Sequence, residues 1–182
     1  MVIGAQDRLL HIQVTGELTE DHRAGVELGI AEASQTAQLL GVKISSSPDF
    51  TRSTIGMINA GDTVSHSHLP FIHLTAAGRG PSEKHCAFHM EGTKDAVAWD
   101  SNSTRYGASE LNERFSKRFG RPMTGSAWNG WFAVKALVET ALRNDDTTKL
   151  CEAMSRGRFD GHKGVPLSFH PETRVLGGTA NK

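Results

Sequence analysis

Two cysteines, Cys86 and Cys151, are all that this chain of 182 residues holds. That is too few for a disulfide framework, which belongs to smaller and more cysteine-dense chains. One bridge would suit an exported protein, but two separate thiols are the plainer expectation, because pairing requires close and correctly aimed Cβ atoms. Charge of a dominant sign is absent as well: 20 basic residues balance 20 acidic ones. No strong field favours nucleic acid or an anionic membrane, so neither is expected as a partner. No apolar run approaches the ~20 residues that cross a bilayer. The opening residues Met1 to Arg8 lack the basic stretch and long apolar run of a signal peptide. The expectation is a cytoplasmic protein if the chain is full length, or a mature exported form.

Catalytic signatures are missing too. No GxSxG elbow occurs. Cys86 sits among apolar residues that raise a thiol pKa rather than activate it. The carboxylates are scattered over solvated helix faces without an isolated acid pair. The chain is therefore expected not to be an enzyme and to need no cofactor. Nine histidines are present, with His66, His68, His73, His85 and His89 close together in sequence. Zinc takes three or four ligands in tetrahedral array. Neither an HExxH pair nor a CxxC pair appears. Loop histidines plus one satisfied strand histidine are the simpler reading, and a metal site at His66, His68 and His73 is the trailing alternative.

What is present is an ordinary globular balance, 37% hydrophobic and 22% charged. Leu10, Ile12 and Val14 alternate with more polar neighbours, as in a strand with one buried face. Thr19 can cap a helix whose stripe is Val26, Ile30, Ala33, Ala37 and Leu40, with Gly41 ending it. Short strands are expected over 42–45, 54–58, 70–74 and 86–89, and one irregular helical turn over 62–68. Parallel neighbours usually need longer crossovers than those that follow Ser45 and Ile58. Then the pattern turns helical. One helix is expected over 106–119, with Ala108, Leu111, Phe115 and Phe119 on one face. A second starts at a Ser126 cap and runs to about Arg143, and a weaker third spans 147–156. Trp128, Trp131 and Phe132 fall at helical spacing and read as core rather than as a ligand box. A terminal hairpin over 165–169 and 173–176 has Pro171 and Glu172 in its turn. Strands, a helix and more strands predict an α/β fold: a three-layer sandwich with a mostly parallel sheet of about five strands. The loop after the fourth strand, Thr75 to Pro81, follows a strand's carboxyl end, where such sheets bind ligands.

Three segments carry a family likeness. They are Tyr106-Gly-Ala-Ser-Glu-Leu-Asn-Glu-Arg-Phe-Ser-Lys-Arg-Phe-Gly-Arg-Pro-Met123, Ala127-Trp-Asn-Gly-Trp-Phe-Ala-Val-Lys-Ala-Leu137 and Gly161-His-Lys-Gly-Val-Pro-Leu-Ser-Phe169. They resemble the C-terminal part of type I periplasmic solute-binding proteins of the Leu/Ile/Val-binding kind, nearest to variants associated with PQQ-dependent alcohol dehydrogenase systems. Gly16-Glu-Leu-Thr-Glu-Asp21, Pro70-Phe-Ile-His-Leu-Thr-Ala-Ala77 and Cys86-Ala-Phe-His89 are similar to the first lobe of that family.

The resemblance implies one lobe of a two-lobed fold with most of the second lobe missing. Residues 1–92 would be the first-lobe α/β segment, 93–104 a shortened connection, and 105–182 the helices and hairpin packing on the same lobe. It implies a substrate-binding component of an ABC transporter for an amino acid, of branched-chain type, or a related polar molecule. Loss of a lobe would weaken or abolish binding. Thr75, Ala76, Ala77 and Gly78 match first-lobe contacts to a ligand's carboxylate and amine, and Gly61, Asp62 and Thr63 match the neighbouring loop. A periplasmic setting and an ABC transporter membrane component as partner follow from the same likeness. Self-association through an exposed interaction face, or a degenerate remnant without ligand, are the alternatives.

Overall fold

The computed structural model describes residues 8–60, 68–74, 86–90 and 99–178. Strand β1 (Arg8–Gly16) leads into helix α1 (Glu20–Gln38). Thr19 caps this helix as its sequence predicts: its Oγ1 accepts from the His22 N–H at 3.2 Å, and Glu20 and Asp21 occupy the first turn. Strands β2 (Val42–Ser47), β3 (Thr54–Ala60), β4 (Phe71–His73) and β5 (Ala87–His89) complete a sheet in the order β2-β1-β3-β4-β5. Every neighbouring pair in it is parallel. The irregular turn expected over 62–68 lies outside the described residues apart from His68, which is exposed.

The short β2-to-β3 crossover has a geometric explanation. The two strands are not neighbours; β1 lies between them. Ser47 at the end of β2 pairs with Gln13, and Thr54 at the start of β3 pairs with His11. The return therefore descends two residues and crosses two strand spacings, about 12 Å in all. Residues 48–53 can reach about 20 Å when extended. Two side chains of β1 hold this loop. His11 Nε2 lies 3.0 Å from the Asp49 carbonyl oxygen, and Gln13 Nε2 donates to the Pro48 carbonyl at 2.8 Å.

His11 and Gln13 point away from the main apolar face. Successive strand residues alternate faces, and the register lines up Val14, Ile58, Ile72 and Phe88 on the other side. That face is covered by α3 (Gly125–Leu142), and Gly56 of β3 marks the contact: a Cβ there would lie 2.5 Å from Leu137 Cδ2. Helix α3 in turn crosses α1 at very short range. Gly25 and Gly29 of α1 face Ala127, Trp131 and Val134, and Gly130 of α3 faces the His22 carbonyl. Thus α1 is buried on two sides. Its apolar stripe lies where the sequence places it except at Leu40, which is exposed just beyond the helix end. The glycine side facing α3 is an addition to that stripe. Two helix-interior glycines four apart, each costing about 1 kcal/mol against alanine, are a signal of close packing.

Helix α2 (Ala108–Phe119) is tied to this pair by charge. Glu32 of α1 accepts from Arg114 Nε at 2.6 Å and from Trp131 Nε1 at 2.8 Å, joining three helices at one carboxylate. The cap of α3 is Thr124 rather than Ser126: Thr124 Oγ1 accepts from the Ala127 N–H at 3.2 Å, so the helix begins two residues before the expected cap would allow. Trp128, Trp131 and Phe132 are core, as their spacing predicts. The Trp128 ring stacks with Trp99 at 5.9 Å and with Phe132 at 5.0 Å.

The weaker third helix resolves into a 3-10 turn (Thr147–Lys149) and α4 (Leu150–Arg156). The terminal hairpin forms from β7 (Pro166–Phe169) and β8 (Leu176–Gly178), and β6 (Phe159–Asp160) adds a third antiparallel strand that the sequence did not announce. The hairpin joins the main sheet where the His89 N–H donates to the Arg174 carbonyl at 2.9 Å. Cys86 and Cys151 form a disulfide between the start of β5 and α4, with Cα atoms 5.8 Å apart. The expectation of two separate thiols is thereby corrected. Tertiary packing brings together two residues 65 apart in sequence.

One lysine is held unusually. Lys163 Nζ lies 5.0 Å from the ring centroids of both Trp99 and Trp128. Burial lowers its pKa to about 8, only partly opposed by Asp100. The unfolded chain, with an ordinary lysine pKa near 10.4, therefore binds more protons than the folded one between those values. Stability rises with pH wherever the unfolded state holds more protons. This penalty is in force below pH 8 and is relieved as pH climbs from about 8 towards 10.4. The melting temperature at pH 9.5 relative to pH 7.5 should be higher in the wild type than in Lys163→Met, which lacks this titration.

Candidate functional site

Because β1, β3, β4 and β5 all run the same way, their carboxyl ends share one rim of the sheet. From β1 the chain moves to β2 on one side, while β3 lies on the other. The reversal between β1 and β3 is a topological switch point, the place where open α/β sheets leave a crevice for a ligand. The two strand ends approach closely here. Gly16 has φ of 81°, and a Cβ on it would lie 2.1 Å from Asn59 Oδ1 and 2.5 Å from the Ala60 carbonyl oxygen. Both the left-handed backbone and the lack of room require glycine.

Gly61, Asp62 and Thr63 follow Ala60 directly in the chain, and Thr75, Ala76, Ala77 and Gly78 follow Leu74. All seven lie outside the described residues. The structure describes the strand ends that lead to them, and both ends are at the rim.

One residue inward, the register aligns Thr15, Asn59, His73 and His89 across four strands, on the face opposite α3. Asn59, His73 and His89 are buried. The two imidazoles stack at 5.0 Å with 8° between their planes, and Phe71 meets His73 edge-on at 4.3 Å. Sequence reading misses this polar row. Residues 14 and 16 positions apart meet only through strand register, which sequence spacing does not reveal. Of the three histidines weighed as metal ligands, His66 lies outside the described residues, His68 is exposed and His73 is buried on β4. Among the described residues, no group of three or more His, Cys, Asp or Glu side chains is placed to hold a metal ion.

Next to Gly16 an open groove of about 540 Å³ lies between α1 and the carboxyl halves of β1 and β2. Val14, Leu18, Val26 and Ile30 give it an apolar floor, and Ser46 and Ser47 stand on its β2 side. Glu27 and Arg118 form an ion pair of 2.8 Å at its margin. Arg23, one turn before Glu27, also lines it, and among the described residues its guanidinium has no carboxylate partner. By sequence, Glu27 is one more carboxylate on a solvated helix face. Neither residue type nor spacing tells that the neighbouring strand stands off far enough to leave a space.

No family model and no curated protein matches this chain. Solved structures do. A Rhodospirillum rubrum protein, provisionally named a branched-chain amino acid ABC transporter, overlays with a TM-score of 0.69 at 12% identity, over 94% of this chain and 95% of that one. An ABC transporter substrate-binding protein from Desulfitobacterium hafniense, in complex with Leu, overlays at 0.39 with 14% identity, over 87% of this chain and 60% of that one. An ABC-type branched-chain amino acid transporter from Rhodopseudomonas palustris gives 0.37 at 14%, over 95% and 54%. This chain thus spans between half and two thirds of the length of the latter two.

The likeness to the Rhodospirillum protein is one of fold. The shared fold is α/β, with helices packed on a parallel five-stranded sheet. The resemblance read from the sequence is met at that level.

Proposed function

We propose that this chain is a solute-binding lobe of the transporter substrate-binding kind, taking an amino acid or a related small polar molecule at the carboxyl rim of its sheet. The observation that carries this reading is the switch point between β1 and β3, with the two loops matched by resemblance leaving from the ends of β3 and β4. In this reading Thr75, Ala76, Ala77 and Gly78 contact the ligand's carboxylate and amine, as the resemblance implies, and Gly61, Asp62 and Thr63 belong to the neighbouring loop of the same site. The Cys86–Cys151 bridge fits an oxidising compartment such as the periplasm. An ABC transporter membrane component would then be the partner.

One lobe encloses a ligand on one side, whereas a good pocket buries about 70–90% of it. Affinity should therefore be modest, with a dissociation constant of about 0.1–1 mM, worth about 4–5.5 kcal/mol. Titration calorimetry with leucine, isoleucine, valine and the other amino acids tests this. Tryptophan fluorescence is a poorer probe, since Trp128 and Trp131 are buried in the core. Saturable heat that falls at least several-fold in Asp62→Ala is the expected result. No heat from any amino acid at about 10 mM, well above that dissociation constant, would sink the proposal.

A further inference from the structure

We propose that the groove between α1 and β1–β2 is a second binding site, shaped for a small monocarboxylate with an apolar body and anchored by Arg23. The groove shares Gly16 with the rim, but the proposal uses neither of the loops that follow β3 and β4.

Three observations carry it. The first is volume. At about 540 Å³ the groove falls within the usual range for small-molecule sites, about 300–1,000 Å³. The second is its floor. Val14 and Ile30 pack on the core yet remain partly exposed, so apolar surface faces water inside a concavity. Covering such surface is favourable, in proportion to the area removed from water. The third is charge. Arg23, Arg118 and Glu27 line the groove, two cations to one anion.

An Arg23–Glu27 pair at i,i+4 would be an ordinary helix pairing. Instead Glu27 Oε1 accepts from Arg118 Nη2 at 2.8 Å across the α1–α2 junction. With no carboxylate partner among the described residues, the Arg23 fork can meet an incoming carboxylate, whose planar geometry it matches in bidentate fashion. Ser47 is already engaged by His11 Nε2 at 3.2 Å, so the β2 wall is held in place. Ser46 beside it, with no partner for its hydroxyl among the described residues, can donate to the second carboxylate oxygen.

The ligand class follows from these parts. An anionic head fits Arg23 and Ser46, and an alkyl or aryl body of several carbons fits the floor. A free amino group would gain nothing next to Arg23 and Arg118, which separates this site's chemistry from that proposed for the rim.

Octanoate is the probe, and octanamide, its neutral counterpart, the control. Titration by two-dimensional NMR should give saturable shifts at Val14, Leu18, Val26 and Ile30, with octanamide about ten-fold weaker or more, the usual worth of a charge-assisted hydrogen bond. Arg23→Gln should bring octanoate down to the octanamide level, and Arg23→Lys should retain part of the difference. Arg23 is exposed, so the circular dichroism spectrum of either variant should match wild type. Leucine binding, measured on the same samples, should not respond to Arg23→Gln. Equal affinity for octanoate and octanamide, indifference to Arg23→Gln, shifts centred elsewhere, or no saturation by about 10 mM would each overturn the proposal. The octanoate arm is run without amino acid, so its outcome stands whether or not leucine binds at the rim.

Discussion

Reduction of the Cys86–Cys151 bridge should lower the melting temperature by roughly 8–16 °C. The magnitude follows from loop length. The two cysteines are 65 residues apart. Opening a loop of that length returns conformational entropy to the unfolded chain worth about 4 kcal/mol at 25 °C. A domain of this size loses about 2–4 °C per kcal/mol. The location adds a local effect. Cys86 immediately precedes β5, the last strand in the sheet order and only three residues long, so the bridge pins one of the sheet's shortest ladders. Calorimetric scans with and without reductant, and of the double variant Cys86→Ser/Cys151→Ser, should agree with each other. A shift under about 2 °C in both would show that the bridge contributes little, contrary to what loop closure requires.

Replacing Gly25 with alanine should cost about 3 kcal/mol or more, at the upper end of what overpacking does. The added methyl would stand 1.8 Å from the Ala127 carbonyl oxygen and 2.7 Å from its carbonyl carbon. These are backbone atoms of another helix, so no side-chain rotamer relieves the clash. Helices α1 and α3 would have to separate, and the sheet face beneath α3 would lose contact. Gly130→Ala should behave similarly, since its methyl would meet the His22 carbonyl oxygen at 2.4 Å. Gly125 provides the control. It is at the start of α3, where an added methyl would find nothing within 4 Å, and alanine there should stabilise by up to about 1 kcal/mol. Urea unfolding midpoints distinguish the three. If Gly25→Ala matched wild type within about 0.5 kcal/mol, the range of an ordinary surface substitution, the close helix crossing would not exist in solution.

What can be read from the sequence is local. The alternation of Leu10, Ile12 and Val14, the Thr19 cap and the helix faces of α2 and α3 all depend on neighbours within a turn or two, and each appears where expected. The errors begin where a third dimension enters. Thr124 and Ser126 are both competent caps, and the Thr124 hydroxyl also donates to Asp21 of α1 at 2.7 Å, a long-range bond that favours the earlier start. The disulfide, the two-residue β6 and the row of Asn59, His73 and His89 arise from register and packing between distant segments. The groove is still less legible, being a property of the gap between α1 and β2 rather than of any residue. For the rim, sequence resemblance supplied the residues and the structure supplied the strand ends on which they follow.

The dependence of the sheet on α3 has a consequence for how the chain is made. Leu10, Ile12, Ile58 and Ile72 belong to the first 74 residues, but the helix that shelters them spans Gly125–Leu142. On a ribosome adding about 5–20 residues per second, that oily surface emerges several seconds before its cover exists. A nascent chain of this fold must therefore be kept from sticking to its neighbours until Gly125–Leu142 has left the exit tunnel.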